Sequence, residues 1–480
     1  MMKKQTRRLS LLLLLSVCAA AAASCGGTAG TEEKTPSAAD NADNTPEETE
    51  PAEPEIDYGG YKVNFLVTED SWGWWHIGAD EQTGDTLQDA TWQRNRAVEE
   101  ALNVAIVENS AWYSETPDMM RQSVMAADGM YDAVTIGADV ITSVAKDGYL
   151  LDAYEMPGLH LDEKWWNARA INDLAVGNKA YMLIGDLHLM FYESHYGIMF
   201  NQELVQKYNL ENPYDLVQSG KWTFDTMCTM AQAVSSDVNG DGSFLPSDDQ
   251  FGICMCTNTP PSMLIALGAR LTDRDASGMP VYEGVSERYA EAFIKICELF
   301  ADKNITQTNL SKGMTTFEGS YNAVFTSGRS LFLVEVIGEL CNMRSMNENF
   351  GVVVMPKFDE ASDYISPVFY GAMGVCVPVT SDAERTSTVL EAMAKTSYEL
   401  VRPAYYDVML GSKLVRDEKS TDSLDVILKN GSFDISYVYN WGNIRTLLET
   451  NAYKNKQDVA SLVESKAAAI RKDIEDSVKS

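Results

Sequence analysis

Residues 61–78 read YKVNFLVTEDSWGWWHIG, and this stretch decides the fold. Tyr61, Val63, Phe65 and Val67 recur at every second position, the signature of a strand with one buried face. Three indoles (Trp72, Trp74 and Trp75) and the imidazole of His76 follow within five residues. In an extended stretch Trp72 and Trp74 share a side and Trp75 opposes them. Rings at the end of a strand either cap the edge of a lobe or meet a ligand, because ligands of α/β sheets bind outside the carboxyl ends of strands.

The same alternation continues outward. GDTLQDATWQRNRAVEEALNVAIVE, residues 84–108, reads as a helix running into a strand. MYDAVTIGADV is a strand ending at Gly137, and ITSVAKDGYLLD then turns helical. Strands are expected at KAYMLIGD, YGIMFN, FGICMCT, RSLFLVE, FGVVVMP and MGVCVPV, and helices at 222–235, 286–302, 382–400 and 458–478. In the last helix Val459, Leu462, Val463, Ile470 and Ile474 form one core-facing stripe. Alternating elements imply α/β lobes with mainly parallel sheets, and the body is long enough for two of them.

The N-terminus sets the compartment. Residues 1–24 carry Lys3, Lys4, Arg7 and Arg8, then a short apolar run ending in small residues, which reads as a secretory signal. The junction Ala22-Ala23-Ser24-Cys25 resembles a bacterial lipobox, in which Cys25 is acylated and becomes the new N-terminus. Plain secretion with an incidental Cys25 is the alternative. Residues 26–57 hold ten acids against Lys34 alone, so 25–57 reads as a disordered acidic tether. The protein is therefore expected on the outer face of the cell membrane, held by lipid. A formal net charge of −32 argues against nucleic acid as a partner. Cys228, Cys254, Cys256, Cys297, Cys341 and Cys376 are scattered through apolar runs and suggest no disulfide framework.

Residues 58–480 resemble the family 1 extracellular solute-binding proteins of ABC importers. The resemblance rests on the order of GDTLQDATWQRNRAVEEALNV, YDAVTIGADVITSVAKDGYLLD, NDLAVGNKAYMLIGD, MFNQELVQKYNLENPYDLVQSGKWTFD, FTSGRSLF, GVVVMPKFDE and RPAYYDVMLGSKLVRDEKS, together with the lipobox. It implies a two-lobed, periplasmic-binding-protein-like (type II) α/β fold with interleaved lobes and a hinge. By analogy the first lobe takes 58–190 and 334–380, and the second 191–333 and 381–480. It further implies a monomer that binds a small solute between the lobes and delivers it to ABC permease subunits. Mono- and oligosaccharides are the commonest ligands of the family. Aromatic rings suit the apolar faces of sugars, and polar side chains suit their hydroxyl rims.

On that basis the ligand-binding candidates are Trp72, Trp74, Trp75, His76, Asp139, Tyr192, Glu193, His195, Asn258, Glu335, Tyr370, Tyr405 and Trp441. Each has a structural alternative. Asp139 could cap the helix that starts there. LHLMFYESHYG, residues 187–197, should cross between lobes, with Tyr192, Glu193 and His195 facing the cleft. Glu193, His188 and His195 also suggest a metal, but on a strand the two histidines would point to opposite faces. Tyr405 and Trp441 could be ordinary helix packing. Trp165, Trp166 and Trp222 read as packing residues.

One motif is more specific. DVNGDGSFLPSDD places Asp237, Asn239 and Asp241 at positions 1, 3 and 5 of a calcium loop, with the Ser243 carbonyl at 7 and Asp248 at 12. Gly242 permits the sharp turn. Asp at the last position is shorter than the usual Glu, and Asp249 competes for that role. A structural Ca2+ ion is expected, against a solvated turn. No Gly-x-Ser-x-Gly elbow, His-Glu-x-x-His or phosphate loop is present, and Ser143-x-x-Lys146 lacks its companion motifs. A surface-anchored glycoside hydrolase would need two carboxylates in one cleft. It stays the rival reading, beside a sensor or adhesin that reuses the fold.

Overall fold

The computed structural model describes residues 56–70, 73–314, 320–343, 346–410 and 418–479. Cys25 and Trp72 lie outside the described residues. Nine strands carry the architecture: β1 (Tyr61–Glu69), β2 (Val104–Trp112), β3 (Ala133–Gly137), β4 (Tyr196–Asn201), β5 (Phe251–Met255), β6 (Thr306–Thr308), β7 (Ser330–Val336), β8 (Phe350–Val354) and β9 (Met373–Cys376). They form two sheets. The first has the order β9-β3-β1-β2, and the second β8-β4-β7-β5-β6. In the first, β1 runs parallel to β2 and β3, and β9 is antiparallel. In the second, β5 is parallel to β6 and β7, while β4 is antiparallel to β7 and β8.

Local chemistry explains these elements. In β1 the period-two pattern gives way to continuous burial over Phe65–Thr68, as expected of a strand with both faces covered. The helix Thr86–Leu102 starts at Asp85, whose carboxylate accepts the Leu87 and Gln88 N–H groups at 3.1 and 3.0 Å. It ends at Asn103 in the left-handed conformation. Its buried face packs against the long helix Ala383–Leu410. Between them Arg94 is fully buried and donates to the Ile77 carbonyl and, at 2.8 Å, to Ser397 Oγ.

The chain passes between the sheets three times: between β3 and β4, between β8 and β9, and between Ala383–Leu410 and Glu418–Lys429. The last of these helices packs on β8. These crossings correct the expected lobe boundaries. All of β7 and β8 belong to the second sheet, and the chain rejoins the first only at β9. Ala383–Leu410 packs with the first lobe, because Thr86–Leu102 offers it an apolar face. KAYMLIGD makes only isolated bridges, among them Leu183 to Val375. LHLMFYESHYG is no strand, since Met190–Glu193 forms a helical turn. The 458–478 helix is two, Val459–Glu464 and Ala467–Val478, with Val459, Val463, Ile470 and Ile474 buried as expected.

The first two crossings meet at His195, beside the residues that follow Glu418–Lys429. It bridges Val368, its carbonyl accepts the Ile337 N–H at 2.8 Å, and Ser366–Pro367 pairs with Gly431–Ser432. A Cβ on Gly431 would stand 2.4 Å from His195 Nε2, so only glycine fits there. Cys228, Cys254, Cys256, Cys297 and Cys376 are free thiols. Among the described residues no helix is long and apolar enough to cross a membrane.

Candidate functional site

The site assembles at the carboxyl ends of strands. β3 ends at Gly137, and Asp139 follows in the first turn of the helix Ala138–Lys146. Gly137 is the cap of that helix, and no side chain caps it. The Asp139 carboxylate instead accepts the hydroxyl of Tyr113, one residue past β2. Facing them is Arg445, in the helix Ile444–Tyr453. Its Nη2 stands 3.9 Å from Asp139 Oδ2, and its guanidinium carbon lies 3.7 Å from the ring centroid of Tyr370. Asn440, Gly442 and Asn443 all adopt left-handed conformations before this helix. The resulting sharp turn aims Arg445 and Glu449, four residues apart, along one face.

The second lobe supplies the rest. Asn258 and Cys256 follow β5, and Glu335 lies at the end of β7. With Tyr196, Tyr321 and Phe369 they line a cavity of about 190 Å³. Glu335 accepts the Tyr321 hydroxyl and, at 2.9 Å, the Val336 N–H. Among the described residues Asn258 Oδ1 and Glu449 Oε1 are buried acceptors with no donor.

Burial sets the electrostatics. It raises Asp139, with the Tyr113 hydrogen bond and the Arg445 charge opposing. It pushes Glu335 up to about 7 against the hydrogen bond from Tyr321. It pushes Glu449 up to about 7 against Arg445 and Tyr370. Burial also raises the Cys256 thiol, which keeps it protonated and a poor nucleophile. The cluster can hold a polar ligand between a ring face and a rim of acceptors. It presents no activated nucleophile.

Of the expected residues, Asp139, Asn258, Glu335 and Tyr370 come together here. Others are sealed elsewhere. Tyr192 is buried, and its hydroxyl donates to Asp186 at 2.7 Å. Glu193 is buried and accepts the Trp74 N–H at 2.5 Å. His195 donates from Nδ1 to the Phe191 and Tyr192 carbonyls, both at 3.0 Å, and burial lowers its pKa to about 4. Tyr405 and Trp441 are core residues, and the Trp441 indole N–H donates to Ser477 at 3.1 Å. These positions look exposed in a sequence because nothing local reveals the packing of Ala383–Leu410 or Ala467–Val478 over them.

The tryptophan stretch has its own setting. The Trp75 carbonyl accepts His188 Nε2 at 3.0 Å, and the Trp75 ring lies 3.7 Å from that of His76. His76 Nδ1 meets Glu108 at 2.9 Å. Trp74 and His76 line a larger hollow of about 930 Å³ with Trp92, Arg96 and Glu108, all from the first lobe. Glu108 there is already satisfied by His76 and by the Ile77 and Gly78 N–H groups. Size favours this hollow, but the contact between lobes and the unmet acceptors favour the smaller cavity.

Sequence reasoning missed Tyr113, Arg445, Glu449, Tyr196 and Tyr321. The end-of-strand rule applied to β2 would have found Tyr113. Arg445 and Glu449 have no such signal, because their helix enters from a distant part of the chain.

In the 237–249 loop Asp237 accepts the Gly240 and Gly242 N–H groups at 2.7 and 2.8 Å, and Asp241 that of Ser243 at 2.7 Å. Asp248 turns to Ser247, whereas Asp249 is fully buried and accepts from Val238 and Leu245. Among the described residues no grouping of three or more His, Cys, Asp or Glu side chains is spaced to hold an ion.

No family model and no curated protein matches the chain. Solved structures do. A cyclo/maltodextrin-binding protein complexed with maltotetraose superposes with a TM-score of 0.58 at 13% identity, over 87% of this chain and 97% of that one. The apo form of RafE from Streptococcus pneumoniae gives 0.55 at 14%, over 87% and 98%. An ABC substrate-binding protein from Listeria monocytogenes in complex with cycloalternan gives 0.54 at 12%, over 88% and 98%. The chain has the fold of ABC substrate-binding proteins. In this substrate-binding-protein fold, two α/β lobes face each other with the carboxyl ends of their parallel strands. Asp139 and Tyr113 stand on one side of that gap, and Asn258 and Glu335 on the other.

Proposed function

We propose that this protein is the substrate-binding lipoprotein of an ABC importer, capturing a carbohydrate between its lobes and passing it unchanged to permease subunits. The observation that carries this reading is the Asp139–Arg445–Tyr370 contact, which joins an end-of-strand carboxylate of one lobe to a cation and an aromatic face across the gap. A sugar ring needs that combination: a flat face for its C–H groups and charged or amide groups for its hydroxyls. The ligands named in the similar structures, maltotetraose and cycloalternan, are carbohydrates, which supports the class. Arg445 and Asp139 already meet in this structure, so a hinge opening of the lobes would part them and admit the ligand. Acylation at Cys25, with residues 26–57 as tether, would keep the receptor beside its permease.

A structural Ca2+ in the 237–249 loop is part of the same proposal. Asp237, Asn239 and Asp241 keep their alternate spacing on an exposed loop, and the buried Asp249 fixes its base.

The test is a thermal-shift and calorimetric screen of the mature protein against mono- and oligosaccharides, amino acids and peptides. A saccharide should raise the melting temperature and be recovered intact. Stabilisation by amino acids or peptides alone would overturn the carbohydrate reading, and shortened saccharides would establish a hydrolase.

A further inference from the structure

Among the described residues the acids of the cleft outnumber its cations. Asp139, Glu335, Glu339 and Glu449 are acids, and Arg445 is the one cation among the described residues of this cluster. Arg445 is already committed: it stacks on Tyr370, faces Asp139, and donates from Nη1 to the Tyr437 carbonyl at 3.1 Å. The charge acting on Glu335 is that of Glu339, another acid. Glu339 Oε2 accepts from the Asn322 and Asn342 amides at 3.3 and 2.8 Å, so amides rather than cations face it. Among the described residues Asn258 Oδ1 and Glu449 Oε1, both on residues that neighbour Tyr370, are buried acceptors without donors. A buried acceptor without a donor is unfavourable, so the bound state should supply one.

We propose that the ligand is an amine-bearing sugar, its ammonium seated in the cavity of Glu335, Glu339 and Asn258, with Glu449 linked to it through Tyr370, and that the cleft rejects acidic sugars. This rests on the carbohydrate reading and narrows it. An ammonium offers three donors, which matches the acceptors present, and the rings of Tyr196, Tyr321 and Phe369 form walls that favour a cation. The cavity of about 190 Å³ is below the usual size of a whole drug-sized site, so it takes one end of a ligand. Burial holds Glu335 and Glu449 near 7, and a bound ammonium would draw both into their charged forms.

Calorimetry at one pH tests this with glucose oligosaccharides of both anomeric linkages and the same series carrying a primary amine, an N-acetylated amine or a carboxylate. The amine series should bind at least about tenfold tighter than the neutral one, and the carboxylate series at least about tenfold weaker. Glu335→Gln and Glu449→Gln should each bring the amine-to-neutral ratio toward one. Glu449→Gln, at a half-buried position, guards against a folding failure at Glu335. Glu211→Gln, at an exposed acid, should leave the ratio as it is. Equal binding of amine and neutral series, or a ratio untouched by both cleft variants, overturns the proposal while leaving the carbohydrate reading intact. Binding by none of the four series removes the carbohydrate reading and this inference with it.

Discussion

Arg445 lies over the ring of Tyr370, 3.7 Å from guanidinium carbon to ring centroid, while its outer nitrogen reaches within 3.9 Å of Asp139. Two residues more than 300 positions apart in sequence thus meet across the lobes. The Arg445 and Asp139 side chains are only 15% and 20% exposed, so water screens the pair weakly.

Arg445→Ala should therefore weaken ligand binding by about 2 kcal/mol or more, some thirtyfold. Tyr370→Ala should do the same by removing the stacking face. Calorimetry against the best ligand of the screen checks both, and an affinity within twofold of the unaltered protein would move the binding site elsewhere.

Trp74→Ala should leave that affinity within about twofold and lower stability by about 1–2 kcal/mol. The Trp74 ring packs edge-on to His76, with ring centroids 5.6 Å apart, in the first-lobe hollow rather than the cleft, while the bond to Glu193 comes from its backbone N–H and survives the substitution. Urea unfolding and calorimetry together separate the two outcomes.

Stability should fall as pH rises from about 4.5 to 7. Burial raises Glu335 and Glu449 from 4.5 to about 7, so the folded state holds more protons than the unfolded state over that window. The contribution is complete below the unfolded pKa and lost as pH climbs through the folded one. Glu335→Gln should flatten this slope, with an upper bound of about 3 kcal/mol for a shift of that size. Melting temperatures of both proteins at pH 5 and pH 8 measure it. An unchanged slope would mean that Glu335 titrates normally.

Gly431→Ala should cost about 1–3 kcal/mol, since a methyl group there collides with His195 where two of the crossings meet. Denaturant unfolding reads the loss directly. A neutral result would show that the crossings give way without strain.

Calcium added to chelator-treated protein should raise the melting temperature, with about 2.7 kcal/mol of stabilisation at a hundredfold excess over Kd. Asp249→Asn should abolish the response by loosening the base of the loop. No shift in the unaltered protein would reduce residues 237–249 to a solvated turn.

The sequence by itself determined the elements. Tyr61, Val63, Phe65 and Val67 announced β1, the cap at Asp85 fits the helix that follows, and the apolar runs at 251, 330, 350 and 373 became strands. These signals are local: a period, a cap or a run of β-branched residues needs no knowledge of distant chain. The end-of-strand rule also pointed to Asp139, Asn258 and Glu335, which the fold brings near Tyr370, a position just before a strand. Only the tertiary structure decided which sheet each strand joined and which rings stayed accessible. Trp441 and Tyr405 were ambiguous because their covering helices come from remote segments. Arg445 and Glu449 were invisible because a left-handed turn at Asn440–Asn443 aims them. Burial and charge are sums over everything that packs nearby, and that sum exists only once the chain has closed on itself.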